Sequence, residues 1–168
     1  MNTQERNKHR RNSHSSSETD SGPQFGDALL KFEKCLEAPV VPGELPSWTS
    51  AVGHAFKNFA EPLHREIEEI HKDHFAEISE EAPDLLRRVE QMREEDSKLL
   101  VLYEELSNKL RKLREGAERV EPHESKLEKA RDVLVDEGLQ FVIRARKQQQ
   151  AISTWLLEAF YRDRGVAD

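Results

Sequence analysis

The sequence is poor in several features that would point to other classes of protein. Among its 168 residues there is one cysteine, and glycine and proline each occur only seven times. The single cysteine, Cys35, excludes a disulfide framework within the chain and is typical of a reducing cytoplasm. The longest apolar run covers residues 99–103, whereas a membrane-spanning helix needs about 20 apolar residues. No apolar segment lies near the start, so we expect no secretory signal.

Charged residues are abundant instead, at 35% of the chain, and acidic residues outnumber basic ones by 33 to 26. The net charge of −7 argues against a general nucleic-acid-binding protein, which usually carries a basic surface. The first 23 residues are the exception, because four basic residues there precede a serine-rich run with almost no apolar side chains. Such a segment cannot bury enough surface to fold. We therefore predict a disordered basic tail over residues 1–23 and a single domain over residues 24–168. The tail is interpreted as a solvated segment without a role, and the alternative is a basic arm for nucleic acid or another acidic partner.

Apolar residues recur every three or four positions through the rest of the chain, which is the period of a buried helix face. We predict a short first helix over residues 25–36, followed by long helices over residues 47–81, 83–116 and 122–164. No segment has the alternating pattern of a β-strand. The second and third helices are equally long and joined by a short proline-containing turn, so they should lie antiparallel. The predicted fold class is therefore all-α, an up-down antiparallel four-helix bundle.

Two of the long helices carry well-defined apolar stripes. The third helix alternates spacings of four and three residues over about four heptads, as in a coiled-coil seam. Its stripe comprises Leu85, Val89, Met92, Asp96, Leu99, Tyr103, Leu106, Leu110 and Leu113. The stripe of the second helix, with a kink expected at Pro62, comprises Trp48, Val52, Phe56, Phe59, Leu63, Ile67, Ile70, His74 and Ile78.

The fourth helix has a similar stripe that includes Ala145, Gln148 and Ile152. Three stripe positions, His74, Asp96 and Gln148, are polar where apolar residues are expected. Buried polar side chains need partners, because an unsatisfied one costs a few kcal/mol. If the turn between the second and third helices is centred near residue 81, Asp96 lies level with His64. We therefore predict a buried polar seam of His64, Asp96 and Gln148, in which His64 and Asp96 form an ion pair that fixes the register of the bundle.

A metal site is the alternative interpretation of these residues. Helical bundles build di-metal centres from histidine and carboxylate ligands on facing helices. Glu68 and His71 have the Glu-x-x-His spacing that is found in such centres. The candidate metal ligands are His64, Glu68, His71, His74 and Asp96.

Several short segments of the long helices occur in a characteristic order. They are a Trp-led helix from Trp48 to His64, Glu77-Ile78 before Pro83-Asp84-Leu85, Arg88-Val89 before Arg93-Glu94-Glu95-Asp96, and Glu158-Ala159-Phe160 before Asp163-Arg164-Gly165. This order resembles bacterial hemerythrin-like bundle proteins. The resemblance implies a four-helix bundle with a histidine-rich, non-haem di-iron centre that binds or senses oxygen. His64 matches a family histidine, whereas Asp96 and Gln148 stand where the family pattern has histidines.

These departures from the family pattern indicate a bundle that has lost most of its iron ligands. We expect a non-enzymatic, hemerythrin-like scaffold with a degenerate metal site and no cofactor. It would act in the cytoplasm as a structural, regulatory or protein-interaction module, with a protein partner but no membrane or nucleic-acid partner. On this interpretation, Asp96→Leu should leave the fold intact. The alternative function is an iron-dependent oxygen or redox sensor that uses His64, Glu68, His71 and Asp96.

Overall fold

The computed structural model describes residues 24–41, 43–119 and 124–162, so the predicted tail over residues 1–23 lies outside the described residues. The helices are α1 (Phe25–Glu37), α2 (Leu45–Arg65), α3 (Lys72–Glu81), α4 (Leu86–Ala117) and α5 (Glu124–Arg162). A π-helical turn, Glu66–His71, joins α2 to α3, and a 3₁₀ turn, Pro83–Leu85, precedes α4. No helix in the described ranges combines the length and apolar character needed to cross a membrane.

The helices form the predicted up-down bundle, which confirms the fold class. Helix α1 packs antiparallel to α2, with Phe25 against Phe59 and Phe32 against Phe56 at ring-centroid distances of 5.3 and 5.2 Å. Helix α1 also contacts α5, while α4 contacts both α2 and α5, so these four helices close a ring at one end. At the other end, beyond the start of α1, α3 packs against both α4 and α5. We call these the four-helix end and the three-helix end.

Each end of the bundle has its own hydrophobic core. The larger core fills the four-helix end and contains Phe32, Phe59 and Phe141, each at most 1% exposed. The smaller core fills the three-helix end, where α3 contributes Phe75 and Ile78. Its other members come from the turn that follows α3, from α4 and from α5: Ala82, Leu85, Val89, Met92, Ile152 and Ala159. Two separate cores leave a level between them that hydrophobic contacts do not fill.

The apolar stripe predicted for the third helix is confirmed in α4, whereas the stripe predicted for the second helix is only partly correct. Every predicted stripe residue of α4 is buried. In the second predicted helix the stripe is correct as far as Leu63, but Ile70 is 37% exposed and His74 is half-buried, while His71 and Phe75 are buried in their place. The π turn explains the shift. It holds one residue more than an α-helical turn, and one residue rotates the following side chains by about 100° around the helix axis.

Helix α1 is fixed to α5 by a close approach of the two helices at Gly138. A Cβ at position 138 would lie only 2.7 Å from Cδ1 of Leu36, so glycine leaves the space that this leucine fills. Closer to the start of α1, the guanidinium of Arg146 donates a hydrogen bond of 2.7 Å to the carboxylate of Glu33. Together these contacts hold the short helix over the larger core.

Candidate functional site

A layer of polar side chains crosses the bundle between the two cores. Its buried members are His71 at the end of the π turn, Asp96 in α4 and Gln148 in α5, each at most 5% exposed. Glu66 and Gln149 extend it towards the surface between the π turn and α5. We refer to these five residues as the polar layer.

Asp96 is the centre of the polar layer. The imidazole Nδ1 of His71 lies 2.9 Å from Oδ1 and 3.0 Å from Oδ2 of Asp96. The amide Nε2 of Gln148 donates to Oδ1 of Asp96 at 2.9 Å and to the backbone oxygen of Met92 at 2.7 Å. One carboxylate in α4 therefore accepts hydrogen bonds from the π turn and from α5, which ties three parts of the bundle together.

The other side of the imidazole faces a second carboxylate. The Nε2 atom of His71 lies 3.5 Å from Oε1 of Glu66, a distance that gives electrostatic attraction but is too long for a good hydrogen bond. The same Oε1 accepts a hydrogen bond of 2.9 Å from Nε2 of Gln149. His71 is thus placed between two carboxylates, each of which is also held by a glutamine of α5.

This arrangement favours the charged form of His71. Burial of the imidazole lowers its pKa, but the contacts with Asp96 and Glu66 outweigh burial and raise the pKa from its ordinary 6.5 to about 9. For Glu66, half-burial raises the pKa of the carboxyl group, but the contacts with His71 and Gln149 outweigh it and lower the pKa overall. At neutral pH the polar layer therefore contains the imidazolium of His71 between the carboxylates of Asp96 and Glu66.

The backbone of the π turn determines which histidine enters the polar layer. The α-helix continues through Pro62, and the regular hydrogen-bond pattern changes at Glu66, whose N–H is shared between the carbonyl oxygens of Pro62 and Leu63. The extra residue of the π turn then brings His71 to the interior face. In an uninterrupted α-helix, His74 would occupy that face, as the sequence predicts.

The position of the polar layer makes the helix register specific. A slip of α4 by one heptad would bring Val89 or Tyr103 to the level of Asp96 and leave His71 without its acceptor. Such a slip would leave an unpaired charge in a buried site, which is strongly unfavourable. The same slip in an all-apolar seam would only exchange one apolar contact for another. The polar layer therefore selects one register among several that the heptad pattern alone would allow.

The predicted pairing of His64 with Asp96 is wrong. His64 is exposed, and its Nδ1 lies 3.2 Å from Oε1 of Glu68 one turn further along the helix. The sequence-based prediction centres the turn between the helices near residue 81, but the pairing of residues 71 and 96 centres it between residues 83 and 84. The backbone leaves the helical conformation at Ala82, and the chain reverses around the Pro83–Leu85 turn that leads into α4.

The five predicted metal ligands are therefore distributed over separate places. His71 and Asp96 meet in the interior, His64 and Glu68 pair on the surface, and His74 is half-buried in α3. Among the described residues, no three His, Cys, Asp or Glu side chains form a group that could hold a metal ion. The polar atoms of His71 and Asp96 face each other or other residues of the polar layer. This geometry does not fit a di-iron centre, and metal binding stays a prediction.

Sequence analysis also missed the outer part of the polar layer, Glu66 and Gln149. A signal for the correct interior face was present in the sequence. His71, Phe75, Ile78 and Ala82 are spaced by four, three and four residues, which is as regular a stripe as the predicted one and contains an aromatic residue that the predicted stripe leaves outside.

Fold and site together define an all-α helical bundle with a charged layer between two hydrophobic cores. Comparisons of the chain with family profiles, with curated proteins and with solved structures found no significant match.

Proposed function

We propose that this chain is a hemerythrin-like helical bundle in which a degenerate metal site has become a structural polar layer. It acts in the cytoplasm as a non-enzymatic structural, regulatory or protein-interaction module. The observation that carries the proposal is the internal bonding of the polar layer. Asp96 accepts from His71 and Gln148, and Glu66 accepts from Gln149, so these groups bind one another at distances of 2.9–3.0 Å.

Elemental analysis of protein purified without chelators or affinity-tag metals tests the structural role of the polar layer. We expect iron, zinc and manganese far below one equivalent per chain, and a helical circular dichroism signal that does not change when a chelator is added. Stoichiometric metal that disappears in the His71→Leu/Asp96→Leu double variant would contradict the proposal and support the iron-dependent sensor.

The interaction role is supported by exposed apolar side chains near the end of α5. Leu157, Phe160 and Tyr161 lie within two helical turns and are 57%, 44% and 66% exposed. Clustered apolar surface of this kind is typical of sites that contact other proteins. A photo-crosslinking amino acid in place of Tyr161 should give discrete crosslinked products in cells. The same amino acid in place of Val101, which is 58% exposed on α4, should not. Equal crosslinking from both positions would contradict the interaction role.

A further inference from the structure

A surface cleft lies directly above Asp96, on the side where the π turn and α3 face α4. It is a shallow depression that is open to solvent and has a volume of about 540 Å³. The π turn and α3 provide one wall, and α4 provides the other. The cleft is lined by Ile67, Glu68, Lys72, Phe75, Arg93, Asp96, Ser97 and Leu100.

Two cations from opposite walls line this cleft. Lys72 and Arg93 are both exposed, and neither has an ion-pair partner among the residues that the structure describes. Arg93 lies over the ring of Phe75, with 5.7 Å between the guanidinium carbon and the ring centroid. Elsewhere on α4 and α5, cations such as Lys98 and Arg144 are paired with carboxylates. The cleft therefore has positive charge that the described part of the chain does not compensate by ion pairing.

The two carboxylates of the cleft are already engaged. Glu68 pairs with His64 at 3.2 Å, and Asp96 accepts hydrogen bonds from His71 and Gln148. Neither carboxylate lies within ion-pair distance of Lys72 or Arg93. An anion that entered the cleft would meet two cations without ion-pair partners in the described part of the chain, next to the buried Asp96 that accepts from His71 and Gln148.

From this arrangement we propose that the cleft binds a small organic carboxylate with an apolar body. The carboxylate lies between Lys72 and Arg93, where the guanidinium supplies two parallel N–H donors that match its two oxygens. The apolar body lies against Ile67 and Leu100. The apolar lining favours such a ligand over inorganic phosphate, which has no apolar surface to bury. This binding site is independent of the proposed structural role of the polar layer.

The test is a titration of the full chain, labelled with ¹⁵N, with phenylacetate as the probe and uncharged phenylacetamide as its control. Phenylacetate should cause saturable shifts in the amide signals of Phe75, Arg93, Ser97 and Leu100, with a dissociation constant in the millimolar range. Phenylacetamide should bind about tenfold more weakly, because it cannot pair with the cations.

Charge variants separate this site from general electrostatic attraction. Lys72→Gln/Arg93→Gln should weaken phenylacetate binding about tenfold or more, whereas Arg87→Gln, on an exposed part of α4 outside the cleft, should change it by less than about twofold. Arg93→Lys keeps the charge but loses the two parallel donors, so it should weaken binding, though less than the double variant does. Shifts that do not saturate, equal binding of the two probes, or equal weakening by Arg87→Gln would each overturn the proposal.

Discussion

Replacing Asp96 alone should destabilise the bundle more than replacing Asp96 and His71 together. In Asp96→Leu, the imidazole of His71 stays in a site where it is 3% exposed but loses both oxygens that lie within 3.0 Å of its Nδ1. Removing one partner of a buried ion pair costs about 3 kcal/mol or more. We expect a loss of this size for Asp96→Leu and a similar loss for His71→Leu. The structure therefore reverses the expectation from sequence that Asp96→Leu is tolerated.

The double variant should recover most of the lost stability. Two leucines would extend the apolar surface between the larger and the smaller core. Replacing a buried ion pair with apolar residues is often neutral or stabilising, but Gln148 and Glu66 also lose a partner, so the double variant should remain about 1–2 kcal/mol less stable than the wild type. The coupling free energy between positions 71 and 96 should then be at least about 3 kcal/mol, well above the value for independent sites.

Urea unfolding at pH 7, followed by circular dichroism, measures all four free energies, with equal m values as a check that each variant unfolds in the same way. The surface pair His64 and Glu68, with side chains 47% and 64% exposed, provides a matched control cycle. Its coupling energy should stay within about 0.5 kcal/mol. Additive effects of His71→Leu and Asp96→Leu, or a loss below about 1 kcal/mol for Asp96→Leu, would refute the reasoning.

Three further predictions concern the charge of His71, the π turn and two glycines. The stabilisation due to the raised pKa of His71 should be complete below pH 6.5 and lost as the pH rises to about 9. Urea unfolding across this range should show a decrease of about 3 kcal/mol that is absent from the double variant. Deleting Glu69 should turn the π turn into an α-turn and preserve the interior face, at a cost of about 1 kcal/mol or less, whereas deleting Ala76 should cost about 3 kcal/mol or more; thermal unfolding distinguishes the two. Gly53→Ala should raise the melting temperature, because its Cβ would meet no atom within 4 Å, and Gly138→Ala should lower it, because its Cβ would contact a buried leucine of α1.

The stripe of α4 could be predicted because its heptad spacing is unbroken, and every member is indeed buried. The π turn could not be predicted in the same way. Residues 66–71 include glutamates and isoleucines that an ordinary α-helix accommodates, and nothing in this segment requires an extra residue in the turn. The turn satisfies a tertiary requirement, because it brings His71 to Asp96 while α2 keeps its own packing.

The partner of Asp96 depended on the register of two antiparallel helices. Periodicity shows which face of each helix is buried, but it does not show how far one helix extends before the chain turns back. A shift of about three residues in the centre of the turn moves the facing position by about two helical turns. That shift was sufficient to exchange the exposed His64 for the buried His71 as the partner of Asp96.

Because the two cores are separate and unequal in size, we expect the two ends of the bundle to differ in local stability. Opening the three-helix end would expose the smaller core while the larger core, with α1 over it, stays packed. Amide hydrogens of α3 should therefore exchange with solvent through local opening, whereas those in the middle of α5 should exchange only when the whole chain unfolds. The charged layer marks the boundary at which such an opening stops. The three-helix end should therefore open and close while the four-helix end stays folded.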